Sequence, residues 1–204
     1  MTNRSVKKYI DMSPRTEKQF EQIRKEKRGL IMNAALELFA KEGYHQTSIS
    51  KIAKSANISK GLLYNYFESK EELLKQIVLD GTMQMYEFFD PDHDGVLSDD
   101  EFRYYIEHMF SMLKENTSFW KLYYSLMMQP EVFGIVQPGL GDIAQKMSGI
   151  LYNYFVNTGC DNPKVEMMLF SATVKGASMT FVTAPEFVPI DEVVEGIIKK
   201  YSNY

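Results

Sequence analysis

The sequence contains only one cysteine, Cys160, among its 204 residues. A chain with one thiol cannot form an internal disulfide, so the class of disulfide-stapled secreted proteins is excluded. Long apolar runs are also missing, since no stretch approaches the roughly 18 residues needed to span a bilayer. The polar start, MTNRSVKKYIDMS, lacks the apolar core of a signal peptide. We therefore expect a cytoplasmic protein with no membrane partner.

Side chains arranged for catalysis are equally scarce. The three histidines, His45, His93 and His108, are scattered, and none lies in an H-E-x-x-H motif. No glycine-rich phosphate-binding loop is present, and no nucleophile stands in a recognisable arrangement with a base. We therefore expect a protein that is not an enzyme and that needs no organic cofactor.

Each half of the chain has a surplus of charge of one sign. Residues 1–75 hold 15 Lys and Arg against 9 Asp and Glu, a net charge of +6, whereas residues 76–204 carry a net charge of −10. A basic region joined to an acidic one favours a protein that meets a polyanion at one end only. Two ordinary solvated surfaces are the alternative interpretation.

Apolar residues recur at helical spacing along most of the chain, and no segment has the alternation of a strand. After a basic arm over residues 1–18, a first helix is predicted from about Phe20 to a stop at Gly43. The later helices are predicted at about 70–89, 102–116, 118–128, 142–156, 164–182 and 190–201, with a Pro/Gly-broken stretch at 130–141. The predicted fold class is therefore all-α.

Two short helical segments, TSISKIAKSA and SKGLLYNYF, follow the first helix. Each opens with a hydroxyl residue suited to N-capping, Thr47 and Ser59, and Asn57 occupies the turn because Asn tolerates a left-handed backbone. Two short helices packed at a sharp angle on a longer one form a helix-turn-helix. We therefore predict an N-terminal three-helix domain over residues 19–69 and a second helical domain over residues 70–204, whose regulatory and dimerisation roles are implied only by the resemblance described next.

The run TSISKIAKSANISKGLLYNYFESKEELL, preceded by ALELFAKEGY, resembles the DNA-binding domain of the TetR family of bacterial transcription regulators. The resemblance is dense over about residues 28–75 and implies a sequence-specific DNA-binding regulator, expected to be a repressor. On the recognition helix, Lys60 could donate to guanine acceptors and Asn65 could read adenine or a backbone oxygen, while Gly61 permits close approach of the backbone. The phosphate contacts implied by the resemblance are those of Thr47, Ser48, Tyr64, Tyr66 and Lys70.

The resemblance also implies a homodimer and a small-molecule effector. Family members dimerise through their last two long helices, here about 164–182 and 190–201, and a symmetric dimer reads a palindromic double-stranded DNA operator. The effector pocket is expected after the acidic loop, lined by aromatic and thioether side chains that suit an apolar or aromatic ligand. The candidate lining residues are Tyr105, Met109, Trp120, Tyr123, Tyr124, Met127 and Phe155, and plain core packing is the alternative for each.

The acidic stretch DPDHDGVLSDDE, residues 90–101, matches the calcium loop of an EF-hand. Such a loop needs oxygen ligands at positions 1, 3, 5, 7, 9 and 12, with a glycine, here Gly95, at position 6. The ligands of a calcium ion would be Asp90, Asp92, Asp94, the carbonyl of Val96, Ser98 and Glu101. EF-hands usually come in pairs and this sequence contains no second loop, so a polar turn with solvated carboxylates is the alternative.

The acidic loop follows the helix that joins the two predicted domains. A cation bound in the loop could therefore fix the angle between this helix and the next, and so affect the DNA-binding domain. Calcium could regulate DNA binding only if it prefers one DNA-binding state over the other. The competing hypothesis, from another class, is a calcium-binding module whose basic end contacts a protein or membrane surface. A steep fall of DNA affinity with salt, together with preference for one palindrome, would favour the regulator.

Overall fold

The computed structural model describes residues 16–202, and within that range the chain forms α-helices with one short 3-10 turn and no strand. Among these residues, no helix combines the length and apolar character needed to cross a membrane. The basic arm predicted for residues 1–18 lies outside the described residues up to position 15, and its last two residues already belong to the first helix. The helices are α1 Glu17–Glu42, α2 Ile49–Ser55, α3 Lys60–Tyr64, α4 Lys70–Tyr86, α5 Asp99–Glu115, α6 Thr117–Met127, α7 Pro130–Asn157, α8 Pro163–Thr183 and α9 Ile190–Tyr201.

Side chains just outside the helices fix where several of them begin. The Ser69 hydroxyl accepts the hydrogen bond of the Glu72 backbone N–H at the start of α4. α5 opens with a full capping box between Ser98 and Glu101, which satisfies two backbone donors that the helix itself leaves unpaired. α1 ends at Gly43, whose φ of 91° is a conformation that a residue without a Cβ adopts readily.

Two buried clusters of apolar side chains organise the molecule. The first joins α1 to α4 and is completed by Leu126, Val132 and Val136, which come from α6 and α7. The second is formed by α5 to α9 and includes Phe89 and Leu97 at the two ends of the acidic loop. The helix-turn-helix region therefore shares its core with the helices that follow the loop, and α7 contributes to both clusters.

The prediction of a broken stretch at 130–141 is wrong, because α7 runs continuously from Pro130 to Asn157. Pro130 stands in the first turn, where its missing N–H costs no intrahelical hydrogen bond. Pro138 does remove one bond inside the helix, yet Val132 and Val136 bury their side chains around it in the first cluster. This tertiary packing outweighs the local preference of proline and glycine to end a helix.

α4 and α6 approach each other closely at Gly81. A Cβ at this position would overlap the ring of Tyr123, so only glycine fits. The Tyr123 hydroxyl donates to the Val78 carbonyl oxygen at 3.1 Å and lies 3.1 Å from the hydroxyl of Thr82. α4 ends at Tyr86, three residues earlier than the sequence predicts, and the chain then turns into the acidic loop.

Candidate DNA-binding surface, cavity and acidic loop

The turn between α2 and α3 has the geometry that the sequence predicts for a helix-turn-helix. Asn57 adopts a φ of 52°, the left-handed conformation that Asn tolerates better than most residues. Ser59 caps α3, and its hydroxyl accepts the hydrogen bond of the Leu62 backbone N–H at 3.1 Å. Ile52 and Leu63 are fully buried and hold the two short helices against α1.

Most of the residues proposed to meet DNA on α3 share its solvent face. Lys60, Gly61 and Asn65 are exposed, and Tyr64 exposes 45% of its surface. The Lys60 ammonium lies 5.9 Å from the centre of the Tyr64 ring, so these side chains stand side by side. Tyr66 is half-buried and packs against the first cluster. The geometry suits contact with DNA by this face, and the individual roles remain predictions.

The sequence predicts that Thr47 caps α2 and contacts a phosphate, but the structure places its side chain elsewhere. Only 1% of it is exposed, and its hydroxyl donates to the carbonyl oxygens of Gly43 at 2.9 Å or Leu38 at 3.3 Å. The N-cap of α2 is Ser48, one residue later, whose exposed hydroxyl accepts from the Lys51 backbone N–H. The Thr47 side chain therefore hydrogen-bonds to carbonyl oxygens at the end of α1, and it is too buried to reach a phosphate. The Ser48 side chain, in contrast, is accessible.

Lys70 is also engaged inside the protein. Its ammonium donates to the carbonyl oxygens of Tyr44 and Thr47, both at 2.9 Å, and to that of His45 at 3.4 Å. It also lies 4.4 Å from the centre of the Tyr44 ring. Partial burial lowers the pKa of Lys70. In this structure the donors of the ammonium are thus directed at the turn before α2, and the phosphate contact stays a prediction.

A contact that the sequence does not signal joins α7 to the DNA-binding region. The Gln129 side chain, just before α7, donates to the Phe39 carbonyl oxygen at 2.9 Å and accepts from the Tyr44 backbone N–H at 3.1 Å. Phe39 lies in the last turn of α1, and Tyr44 lies in the connection between α1 and α2. Gln129 precedes a proline and belongs to no periodic apolar pattern, so nothing in the sequence distinguishes it from an ordinary loop residue.

A cavity of about 370 Å³ opens between the helices that follow the DNA-binding region. Three of the predicted pocket residues line it, namely Tyr105, Met109 and Tyr124. The other lining residues, mostly apolar, are Met85, Phe89, Ala144, Met147, Ser148, Leu151, Met167, Phe170, Ser171, Val174 and Lys175. Apolar walls with a few hydroxyls and one lysine suit an apolar ligand with a polar or anionic end.

The remaining predicted pocket residues do not line this cavity. Trp120, Tyr123 and Phe155 are buried core residues, exposed by 4% or less, and Met127 packs half-buried between the two clusters. Burial raises the pKa of Tyr123 to about 12, against a smaller opposing effect of its hydrogen bond to Thr82. Helical spacing identifies the inward face of α6, but whether that face meets another helix or a space depends on packing.

The acidic loop brings three of its predicted ligands together. One carboxylate oxygen from each of Asp90, Asp92 and Asp94 lies within 4.8 Å of the others. Asp90 is fully buried, and its Oδ1 accepts from the Gly95 backbone N–H at 3.4 Å, while Oδ2 has no hydrogen-bond partner among the described residues. Gly95 has a φ of 77°, which confirms the sharp turn expected there.

Ser98 and Glu101 serve another purpose in this structure. One Glu101 carboxylate oxygen accepts from the Ser98 backbone N–H at 2.9 Å and from its hydroxyl at 2.7 Å, so the pair caps α5. Glu101 is not part of the aspartate cluster. The Val96 side chain is exposed and its backbone N–H donates to Asp94 at 2.7 Å. The loop thus presents three carboxylates in place, and the other predicted ligands stay predictions.

The exposed apolar surface of the last helices lies on α8. Val165, Met168 and Leu169 are exposed by 45%, 60% and 48%, and the small residues Ala172 and Gly176 continue the same stripe at helical spacing. α9 turns its apolar residues inward, and most of its exposed residues are charged. The stripe on α8 therefore offers the apolar surface that the predicted dimer needs.

The chain is similar to known regulators. The family described as "Bacterial regulatory proteins, tetR family" matches residues 31–77. Over 50 residues the chain is 58% identical to an uncharacterized HTH-type transcriptional regulator of Bacillus subtilis, and over 62 residues it is 40% identical to the fatty acid metabolism regulator protein of the same organism. These matches cover 24% and 30% of this chain, and 17% and 32% of those proteins. Residues 31–77 therefore match the N-terminal domain of that family.

The similarity in fold extends further than the similarity in sequence. The crystal structure of the regulator FadR from Bacillus subtilis in complex with stearoyl-CoA matches 85% of this chain and 97% of that one, with a TM-score of 0.63 and 20% identity. At this identity the match shows the fold alone. It confirms an all-helical arrangement in which a helix-turn-helix domain precedes a larger helical part.

Proposed function

We propose that this protein is a sequence-specific DNA-binding transcriptional regulator, expected to be a repressor. The observation that carries the proposal is the exposed face of α3, where Lys60, Tyr64 and Asn65 stand together on a helix set by a tight turn. Such a face presents side chains to base edges while its flanks hold phosphates. The transcriptional regulators that match the chain over residues of this region support it.

Operator selection from a random pool of DNA duplexes tests this function. A regulator enriches one palindrome, and its affinity for that palindrome falls steeply as salt rises, because phosphate contacts release counterions. The competing hypothesis of a calcium-binding module predicts no enriched sequence and calcium-dependent binding to a peptide or an anionic vesicle. A pool that stays random at low salt, with and without calcium, would rule out the regulator.

We further propose that the protein acts as a homodimer through the α8 stripe. One helix-turn-helix makes few contacts with DNA, and two copies related by a twofold axis read a palindrome. The small residues Ala172 and Gly176 let two copies of α8 approach closely, while Met168 and Leu169 supply apolar area on the same face. Sedimentation equilibrium at micromolar concentration tests this assembly.

The proposed effector is a small apolar molecule with an anionic end, bound in the 370 Å³ cavity. The apolar lining supplies the driving force, and Lys175, the one charged side chain among the described lining residues, suits a carboxylate or phosphate. The similarity to a fatty acid metabolism regulator and to FadR in complex with stearoyl-CoA favours an acyl chain as the first ligand to try. Release of the selected operator by palmitate or stearoyl-CoA, and not by decane, tests the class.

We propose calcium as a second regulatory ligand, bound at the acidic loop. Three convergent carboxylates and the fully buried Asp90 favour this proposal over a solvated polar turn. Three residues, 87–89, separate the loop from the end of α4, the helix that follows the DNA-binding region, so a bound cation acts at its far end. Operator affinity measured in calcium and in chelator tests it, since equal affinities would leave the DNA-binding function standing and remove calcium as a signal.

A further inference from the structure

Asp90 carries a buried charge whose compensation is incomplete. Its side chain is fully buried, and the Oδ2 atom accepts no hydrogen bond from any residue that the structure describes. Two more carboxylates, those of Asp92 and Asp94, lie within 4.8 Å. Like charges at this distance repel one another, and an unpaired buried carboxylate is unfavourable, so the cluster is stabilised by any cation that reaches Oδ2.

The protein supplies one such cation from α7. The Lys146 ammonium lies 4.0 Å from Asp90 Oδ2 and 5.6 Å from the centre of the Tyr86 ring. More than half of the Lys146 side chain is exposed, and 4.0 Å is longer than a hydrogen bond. An exposed lysine at this distance forms a weak, salt-screened ion pair, so it can be displaced. Lys146 is therefore positioned as an exchangeable counter-ion of the loop.

The two chain segments that meet in this ion pair also build one wall of the cavity. Phe89 directly precedes Asp90, Met85 lies five residues before it at the end of α4, and both line the cavity. Met147 follows Lys146 and lines the cavity from α7. Phe89 is adjacent in sequence to Asp90, and Met147 is adjacent to Lys146. A change in the contact between Asp90 and Lys146 therefore displaces lining residues on two sides of the cavity.

We propose that Lys146 and a divalent cation bind Asp90 in alternation, so that occupancy of the acidic loop is coupled to ligand binding in the cavity. The proposal rests on the proposed function of the loop as a cation site and adds the mechanism of its regulation. In the cation-free state Lys146 links α7 to the start of the loop. In the cation-bound state the positive ion repels the ammonium, and the α4 end and α7 lose this link.

Isothermal titration of the full chain with calcium chloride tests the exchange. Removal of the competing ammonium in Lys146→Met should tighten calcium binding about tenfold, because the ion no longer displaces a positive charge. Lys121→Met, which removes the same charge from the exposed side of α6, serves as the control and should leave the affinity within about twofold. Equal affinity in the wild type and Lys146→Met would overturn the exchange.

Asp90→Asn separates a failure of this mechanism from a failure of the site. It should abolish calcium binding in both the wild-type and the Lys146→Met background. If the wild type gives no binding heat with calcium, magnesium or manganese, the cation site itself is refuted and the exchange with it. Operator binding in chelator is measured on the same samples, so the DNA-binding function is judged separately.

The coupling to the cavity is tested with the fluorescent probe 1-anilinonaphthalene-8-sulfonate. In the wild type its dissociation constant should change at least threefold, a change of roughly 0.7 kcal/mol, on addition of saturating calcium. The same factor should appear in the calcium affinity when the probe is saturating, because coupling between two sites is reciprocal. Lys146→Met should lose the coupling while it keeps both ligands. Identical probe affinity with and without calcium in the wild type would overturn the link.

Discussion

Lys60 and Tyr64, which stand side by side on α3, are predicted to have different roles in DNA recognition. Lys60 is exposed at the first position of the helix, where its ammonium can reach the acceptors of guanine. We expect Lys60→Gln to weaken operator binding by about 1–3 kcal/mol and to relax the preference at one base pair. Gel-shift titrations against the selected operator and its single-base variants measure both effects.

Tyr64 provides the matched test of a phosphate contact. Tyr64→Phe should lower affinity for all operator variants to the same extent and leave the base preference unchanged, because phosphate contacts carry no sequence information. Lys121→Gln, on the exposed side of α6, is the control for net charge. If Lys60→Gln binds as tightly as the wild type, α3 does not read the operator.

Lys70 stabilises the turn that positions α2. Its three hydrogen bonds to the carbonyls of Tyr44, His45 and Thr47 satisfy acceptors that no helix pairs. We expect Lys70→Met to lower the free energy of unfolding by about 1–3 kcal/mol. Urea unfolding followed by circular dichroism measures the loss. A variant with unchanged stability but weakened salt-dependent operator binding would instead return Lys70 to the phosphate-contact role.

Tyrosine burial makes stability depend on alkaline pH. Burial raises the pKa of both Tyr105 and Tyr123, the latter to about 12, above the value of 10.0 for an unperturbed phenol. Above pH 10 the unfolded chain releases phenolic protons that the folded protein retains, so stability is full below pH 10 and falls as pH rises towards 12. Thermal unfolding at pH 9 to 11.5 should show a shallower decline in Tyr123→Phe than in the wild type.

At the scale of elements, the contact between α4 and α6 depends on the absence of one side chain. Gly81→Ala places a methyl group against the Tyr123 ring, so the two helices must separate. We expect a loss of roughly 1–3 kcal/mol in the free energy of unfolding, the usual cost of overpacking. Gly196→Ala is the matched control, since no atom lies within 4 Å of its added Cβ, and it should be neutral or slightly stabilising. Equal stability of the two variants would contradict this account.

Sequence patterns predict the elements well where local signals and packing agree. The cap at Ser59, the turn at Asn57 and the bounds of α8 and α9 all follow from residue preferences, and the structure confirms them. The prediction for the start of α7 is wrong because the Pro and Gly residues there lower the local helix propensity. Val132 and Val136 become buried only once α1 to α4 are assembled. Long-range packing of this kind leaves no mark within a short window of sequence.

The same limit applies to the candidate sites. Exposure of Lys60 and Asn65 follows from the amphipathic pattern of α3, because its opposite face holds the buried Leu63. The partners of Thr47 and Lys70 do not follow, since a hydroxyl or ammonium can face a phosphate or a carbonyl and only the folded chain decides. The sequence does not predict the lining residues of α7 and α8, such as Met147 and Lys175, for a related reason, because these helices reach the cavity through their position in the bundle.

At the scale of the whole molecule, two clusters and a side-chain bridge connect the cavity to the DNA-binding face. Leu126 and Val132 extend from α6 and α7 into the first cluster, and Gln129 between them bonds the end of α1. A ligand that shifts α6 or α7 therefore moves atoms that touch the helix-turn-helix region. Rigid contacts with two discrete arrangements are what allostery requires, and the Gln129 bridge is a candidate for one of them.

The dimer proposed through α8 sets the spacing of the two recognition helices. A charge placed in an apolar interface of two identical helices faces its own copy, so Leu169→Glu should dissociate the dimer in sedimentation equilibrium. Operator affinity should fall with it, because each half-site is then bound alone. Gly196→Glu places the same charge on the exposed face of α9. It should leave the dimer intact if α8 alone forms the interface, whereas dissociation by Gly196→Glu would restore α9 to the interface that the sequence predicts.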